Sequence, residues 1–307
     1  MKVALCDQFL GIKIKTLFKD FYSRYPYIIF DDIIDYFSVF GGLGVYLELF
    51  NGIDCAIKDI IKTDEVYSNL PFFILNDPFK KFLIKLAQGD GRLYSIFNKI
   101  GVGYSLGSDI VEELLNNDII YIVNSRENPL KVYKKQLIKK ELRNYTIEPK
   151  IYFKKPFFRF WFMFVEPYRD KQNKININKV LDNFNKNSYR LSSLAFEQLS
   201  IELLKDEFKN IDTLVEIASY WDRFSEFDIY SKTKSNKYIL GECKYKNRPI
   251  TKAELLKLKA KANNSNLKVD KFALFSKSGF SHELYKLDDK DLLLYELLDF
   301  KRLLQKS

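Results

Sequence analysis

Phe224-Ser225-Glu226-Phe227-Asp228-Ile229-Tyr230-Ser231, a polar turn over Lys232 to Asn236, and Lys237-Tyr238-Ile239-Leu240-Gly241-Glu242-Cys243-Lys244-Tyr245-Lys246 decide the reading of this chain. Two apolar-rich runs around a polar turn predict a pair of antiparallel strands. Asp228 falls in the first strand, Glu242 and Lys244 in the second. Successive strand side chains alternate between faces, so Glu242 and Lys244 share a face and Cys243 points the other way. A register that sets Asp228 alongside gathers two carboxylates and an ammonium. Those oxygens suit a divalent cation, with a lysine beside a reacting water. An exposed cross-strand ion pair leaves the same letters and contributes little. The run Tyr238-Ile239-Leu240 ahead of Gly241 argues instead for a buried central strand, where charged groups need a reason to stand.

Working outward, Leu191 to Phe208 reads as an amphipathic helix with Leu194, Leu199, Leu203 and Leu204 inward and Glu197 within it. Leu214 to Ile217 opens a first strand. Thr251 caps a helix running to about Ala262, with Glu254 at the capping-box position. Lys271 to Phe275 is a parallel strand returned by that helix, and Asp291 to Leu304 a closing helix. The order is α-β-β-β-α-β with a mixed sheet.

The first half reads as mainly helical, over 12–22, 30–40, 45–62, 78–100 and 108–117. A strand over Ile119 to Val123, a loop over Ser125 to Pro129 and a second strand over Val132 to Leu137 follow. Helix, helix, strand, loop, strand is the order of a winged helix. Only Gly101 to Gly107 separates the two helices, and a full helix-turn-helix needs another helix. Phe157 to Val165 is too aromatic for solvent and is expected to pack between domains. Lys171 to Asn187, rich in Asn and Lys, reads as a surface loop or domain boundary. The expected division is a helical, winged-helix-like domain over 1–140, an aromatic connecting segment over 141–188 and an α/β domain over 189–307, α+β overall.

Composition bounds the function. The 307 residues are 47% hydrophobic and 16% aromatic, so the chain is globular, with room for more than one core. The single histidine, His282, argues against a His-based zinc site or a Ser-His-Asp triad. Three widely spaced cysteines, Cys6, Cys55 and Cys243, suggest free thiols in a reducing, cytoplasmic setting. No run of about twenty apolar residues spans a bilayer, and no signal-peptide core stands at the start. The net charge of +10 is concentrated. Nine basic residues stand against Glu141 and Glu148 from Lys131 to Lys155, and nine against Glu254 and Asp270 from Lys244 to Lys271. The second run starts inside the candidate site and continues along a helix as Lys246, Arg248, Lys252, Lys257, Lys259 and Lys261. A basic face suits a polyphosphate backbone; a solvated Lys-rich surface is a strong reading of the first run and a weaker one of the second.

Asp228 followed by Glu242-Cys243-Lys244 resembles the PD-(D/E)xK nuclease core. Ser193-Leu194-Ala195-Phe196-Glu197-Gln198, Trp221, Glu226-Phe227-Asp228-Ile229, Gly241-Glu242-Cys243-Lys244 and Phe275-Ser276-Lys277-Ser278-Gly279-Phe280 occur in that order. The series is similar to the C-terminal domain of unknown function attached to archaeal-type AAA+ ATPases, also found in bacteria. Phe157-Phe158-Arg159-Phe160-Trp161-Phe162 and Phe40-Gly41-Gly42-Leu43-Gly44-Val45-Tyr46-Leu47-Glu48-Leu49 extend the resemblance towards the N-terminus. It implies that Asp228 and Glu242 bind Mg2+ or Mn2+, that Cys243 lends its backbone carbonyl, that Lys244 orients water, and that Glu197 completes the metal shell. It also implies a winged helix in the first half.

One departure is large. No G-x-x-x-x-G-K-[ST] phosphate loop is present, and Gly41 to Gly44 read as a turn between helices, so ATP is not an expected ligand. The leading expectation is a metal-dependent nuclease on DNA, met mainly through phosphates. The alternative is an inactive DNA-binding or assembly module on the same scaffold, with a second copy or another protein as partner.

Overall fold

The computed structural model describes residues 14–63, 71–131, 133, 135–143 and 145–305. Cys6 therefore lies outside the described residues, as do two positions of the expected strand over 132–137. The chain divides into two units. The first comprises residues 1–123 and 150–195, the second residues 124–149 and 196–307. The fold is α+β overall, with helices dominating the first unit and a mixed five-stranded sheet in the second.

The first unit begins with three helices, α1 (Ile14–Arg24), α2 (Ile33–Phe40) and α3 (Ile53–Lys62). Gly41 to Gly44 form a turn, with Gly42 at a φ of +80° that only glycine adopts cheaply. The helical pattern over 78–100 is two helices, α4 (Phe79–Gln88) and α5 (Leu93–Ile100). Between them Gly91 takes a φ of +81° with no room for a Cβ, which would stand 2.6 Å from the Ile151 carbonyl oxygen. With α6 (Tyr104–Asn116), three helices precede the strands, one more than the sequence reading allowed.

β1 (Ile120–Val123) pairs antiparallel with β2 (Lys150–Phe153), through partners such as Tyr121 with Tyr152. None of the described residues of the expected partner strand over Val132 to Leu137 is in a strand, and the Gln136 N–H donates to the Tyr133 carbonyl at 3.1 Å in a turn. They belong to a 26-residue excursion, 124–149, that packs with the second unit.

The aromatic run, expected between domains, lies within the first unit. α7 (Pro156–Phe160) and the π-helical turn Trp161–Val165 bury Phe157, Phe158, Phe160, Trp161, Phe162 and Phe164. Phe160 and Phe164 meet Phe184 edge-on, with centroids at 5.9 and 5.3 Å. Phe184 comes from α8 (Ile177–Asn187), where the sequence suggested a loop. The Asn176 side chain caps it by accepting the Lys179 N–H, and Val180 and Phe184, four apart, form its buried stripe. The boundary between units falls inside α9 (Tyr189–Phe208). The limits drawn at 140 and 188 therefore do not coincide with this division.

In the second unit the sheet order is β3-β4-β5-β6-β7. β3 (Leu214–Trp221), β4 (Glu226–Thr233) and β5 (Tyr238–Lys244) form an antiparallel meander. α10 (Lys252–Asn264) returns the chain to β6 (Lys271–Ser276), parallel to β5. Its start is capped as expected, the Thr251 N–H donating to Glu254 Oε2 at 2.6 Å. A further short helix, α11 (His282–Tyr285), leads to β7 (Leu292–Glu296), parallel to β6. β7 replaces the first half of the expected closing helix, and only Leu297–Leu304 is helical, with 3-10 geometry. One sheet face buries Tyr230, Leu240 and Leu274 with Leu255, Leu258 and Ala262 of α10.

Candidate functional site

Strand pairing builds the site. Tyr230 pairs with Leu240 and Ile229 with Gly241, the last rung of the β4–β5 ladder. One step further stand Asp228 and Glu242. Leu240 faces α10, so by alternation Glu242 and Lys244 point to that side, where the core gives way to polar groups. In β4 a bulge opposite Ala218 and Tyr220 sets both Phe227 and Tyr230 against α10, and Asp228 stands within that bulge. Gly241 permits the approach: a Cβ there would lie 2.9 Å from Cβ of Ile229. The Cys243 N–H, beyond the last rung, donates to Asp228 Oδ2 at 2.7 Å. Lys244 Nζ is ion-paired with Glu242 Oε1. Both side chains are partly enclosed, with 28% and 19% of their surface exposed.

The electrostatics are those of crowded carboxylates. Burial first, and the Glu242 charge second, push the Asp228 carboxyl up to about 7. The Cys243 N–H, Lys244 and Lys261 oppose that rise without cancelling it. Burial disfavours the Lys244 ammonium, but Glu242 and Asp228 outweigh it and hold its pKa above the ordinary lysine value.

Cys243 points to the opposite face, as expected, and is buried. Burial, then Asp228 and then Glu197, push its thiol well up, so it stands as an inert neutral group. Glu197, on α9, is near enough to the Cys243 thiol to add to that rise. Glu226 is exposed at the start of β4.

The basic residues divide by helix flank. On α10, Leu255, Leu258 and Ala262 face the core. Glu254, Lys257 and Lys261 lie along one side of that stripe, Lys252 and Lys259 along the other. The first flank is turned to the site. Glu254 is held below the usual carboxylate range: burial opposes this, but the Thr251 hydrogen bonds, Arg248 and Lys244 outweigh it. Lys261 acts on Asp228, donates to the Glu226 carbonyl and lies over the Phe227 ring at 4.6 Å. Lys259 is turned elsewhere, to Asp289 at 3.5 Å and the Phe272 ring. Arg248 pairs with Glu254 at 3.1 Å, while Lys246, Lys252 and Lys257 are exposed. The sequence named Lys261 only as one of a run, and its seat beside Asp228 follows from helix phase.

Among the described residues no group of three His, Cys, Asp or Glu side chains forms a ready cation cage. The donors at hand are two carboxylates and backbone carbonyls. Such a set suits a hard ion that keeps several waters and takes one or two carboxylates plus substrate phosphates, as Mg2+ does. It does not suit a closed all-protein site.

Residues 161–262 match the family DUF234, described as archaeal and bacterial proteins of unknown function. The match takes in the aromatic turn, α9, the three-stranded meander and most of α10. No curated protein and no solved structure matches the chain.

Proposed function

We propose that the second unit is a metal-dependent nuclease of the PD-(D/E)xK class that cleaves DNA. The observation that carries this reading is Asp228 beside Glu242 at the end of the ladder, with Lys244 on the same face and an Asp228 carboxyl raised to about 7. Two crowded acids held beside one lysine leave the site short of positive charge. That is the kind of perturbation found where a fold is built for chemistry.

In this reading Asp228, Glu242 and the Cys243 carbonyl hold Mg2+ or Mn2+, and Glu197 assists from α9. Such an ion supplies a bound water of lowered pKa and neutralises phosphate oxygens. Lys244 exchanges its bond to Glu242 for the attacking water and faces the charge that develops on the phosphate. Lys257 and Lys261 bind neighbouring phosphates on the same flank.

The three helices α4 to α6 with the β1–β2 hairpin are read as a winged-helix scaffold. The third helix exposes Asp109, Glu112 and Glu113 and contains no lysine or arginine. An acidic helix is repelled by DNA phosphates, which favours sequence-independent contacts made elsewhere. With free thiols at Cys55 and Cys243, and no described helix long and apolar enough to cross a membrane, the cytoplasm is the proposed setting.

A second reading rests on one observation. Lys244 is satisfied by Glu242, and Asp228 by the Cys243 N–H, within the protein itself. An inactive DNA-binding or assembly module, in which these groups hold the strand ends together, uses the same contacts. Single-turnover cleavage of DNA with Mg2+ or Mn2+, parent against Asp228→Ala, separates the two.

A further inference from the structure

We propose that residues 131–143 form a basic arm, rooted beside the candidate site, that binds the phosphodiester backbone of DNA outside the point of cleavage.

The roots carry the argument. The excursion 124–149 leaves β1 and returns to β2, yet packs with the second unit. At its start the Ser125 hydroxyl donates to the Trp221 carbonyl at 3.0 Å. At its end the Glu148 carbonyl accepts the Trp221 indole N–H at 3.2 Å. Both roots thus meet one residue, the last of β3. Trp221 pairs with Glu226, two residues before Asp228, and the Glu226 carbonyl is also the seat of Lys261.

Inside the roots a second tier holds. The Arg126 guanidinium donates to the Tyr230 carbonyl at 2.7 Å and lies 5.1 Å from that ring's centre. Burial depresses its pKa, as expected of a charge taken from water for structure. The nearly buried Glu127 accepts the Tyr145 hydroxyl at 2.6 Å and pairs with Arg223. Buried ionic bonds of this kind are costly to assemble, and they fix where a loop leaves the surface.

Between the roots the character reverses. Residues 131–143 carry Lys131, Lys134, Lys135, Lys139, Lys140 and Arg143 against Glu141. Lys131, Lys135, Lys139, Lys140 and Arg143 are all exposed, and none has an ion pair among the described residues. Tyr133 and Leu137 stand out at 65% and 93% exposure. A strongly cationic segment with an exposed ring is thus rooted at the sheet end that carries Asp228 and seats Lys261. The chemistry it fits is a polyanion that also offers flat apolar surface, as nucleic acid does.

The proposal rests on the DNA reading of the site. It is tested by binding rather than cleavage, using the full chain and a fluorescent 30-base-pair duplex in Ca2+ buffer. Lys131→Gln/Lys135→Gln/Lys139→Gln/Lys140→Gln is compared with an equal charge removal at exposed positions, Lys209→Gln/Lys234→Gln/Lys286→Gln/Lys290→Gln. The arm variant is expected to lose at least tenfold in affinity at about 0.1 M salt. Its log–log salt slope should fall by roughly three to four, at about 0.9 per lost phosphate contact. The control should keep most of both. Equal losses in the two variants mean a general charge effect and overturn the proposal. A parent that cleaves DNA while the arm variant binds with unchanged affinity and slope overturns the arm alone. A parent that binds no duplex overturns both readings, and the arm is then left to an acidic protein partner.

Discussion

The Asp228 carboxylate accepts the Cys243 backbone N–H at 2.7 Å, just past the last rung joining β4 to β5. A side chain thus takes the amide where the ladder stops, and it is held beside Glu242 at the sheet end. Its pKa is raised from an ordinary 3.8 to about 7, by burial and then by Glu242. For an acid so raised, folding binds protons. Stability contributed by the protonated form is present at low pH and is lost as pH climbs from about 4 to about 7. Asp228→Asn removes the charge and keeps an oxygen for Cys243. The variant should gain Tm over the parent, and gain more at pH 8 than at pH 5. Melting curves at the two pH values read this directly, and a gain that shrinks with pH reverses the sign.

A divalent cation that binds only the folded protein raises stability by mass action. Mg2+ or Mn2+ at about 10 mM should therefore raise the parent's Tm by several degrees. It should leave Asp228→Ala/Glu242→Ala unmoved. An equal rise in both would place the ion elsewhere.

Gly241 is a packing prediction. Alanine there presses its Cβ on Ile229 at 2.9 Å, within the ladder that sets Asp228 beside Glu242. The expected cost is about 1–3 kcal/mol, in line with overpacking elsewhere. Denaturant titration measures it. No loss would mean that the strands part freely.

The hairpin was legible because its signals are local: two apolar runs, a polar turn, and a parity that puts Glu242 and Lys244 on one face. The α10 cap at Thr251 and Glu254 was local too. What escaped was set at long range. Lys150 to Phe153 pairs with β1 across 26 intervening residues, and nothing in Val132 to Leu137 shows that it will not. Leu292-Leu293-Leu294-Tyr295 is a continuous apolar run, which as a buried strand looks like a helix segment. Gly89 and Gly91 carried the break between α4 and α5, but an apolar period continuing across them reads as one helix. Lys261 needed the helix phase relative to Leu258 and Ala262 before it separated from Lys252 and Lys259.

ATP is a contrasting ligand. With no phosphate loop in the sequence, Mg2+ with ATP should raise Tm no further than Mg2+ alone, and no phosphate should be released. A nucleotide-dependent rise would reopen the Gly41 to Gly44 turn as a site.

The most direct measurement is single-turnover cleavage of labelled DNA, single- and double-stranded, with Mg2+ and with Mn2+. It compares the parent with Asp228→Ala, Glu242→Ala, Lys244→Ala and Glu197→Ala at matched purity. The expected result is cleavage by the parent in either metal, a loss of at least 100-fold in the first three variants, and a smaller loss in Glu197→Ala. A parent that cuts nothing, or activity that survives in Asp228→Ala and Glu242→Ala alike, contradicts the nuclease reading and leaves the scaffold.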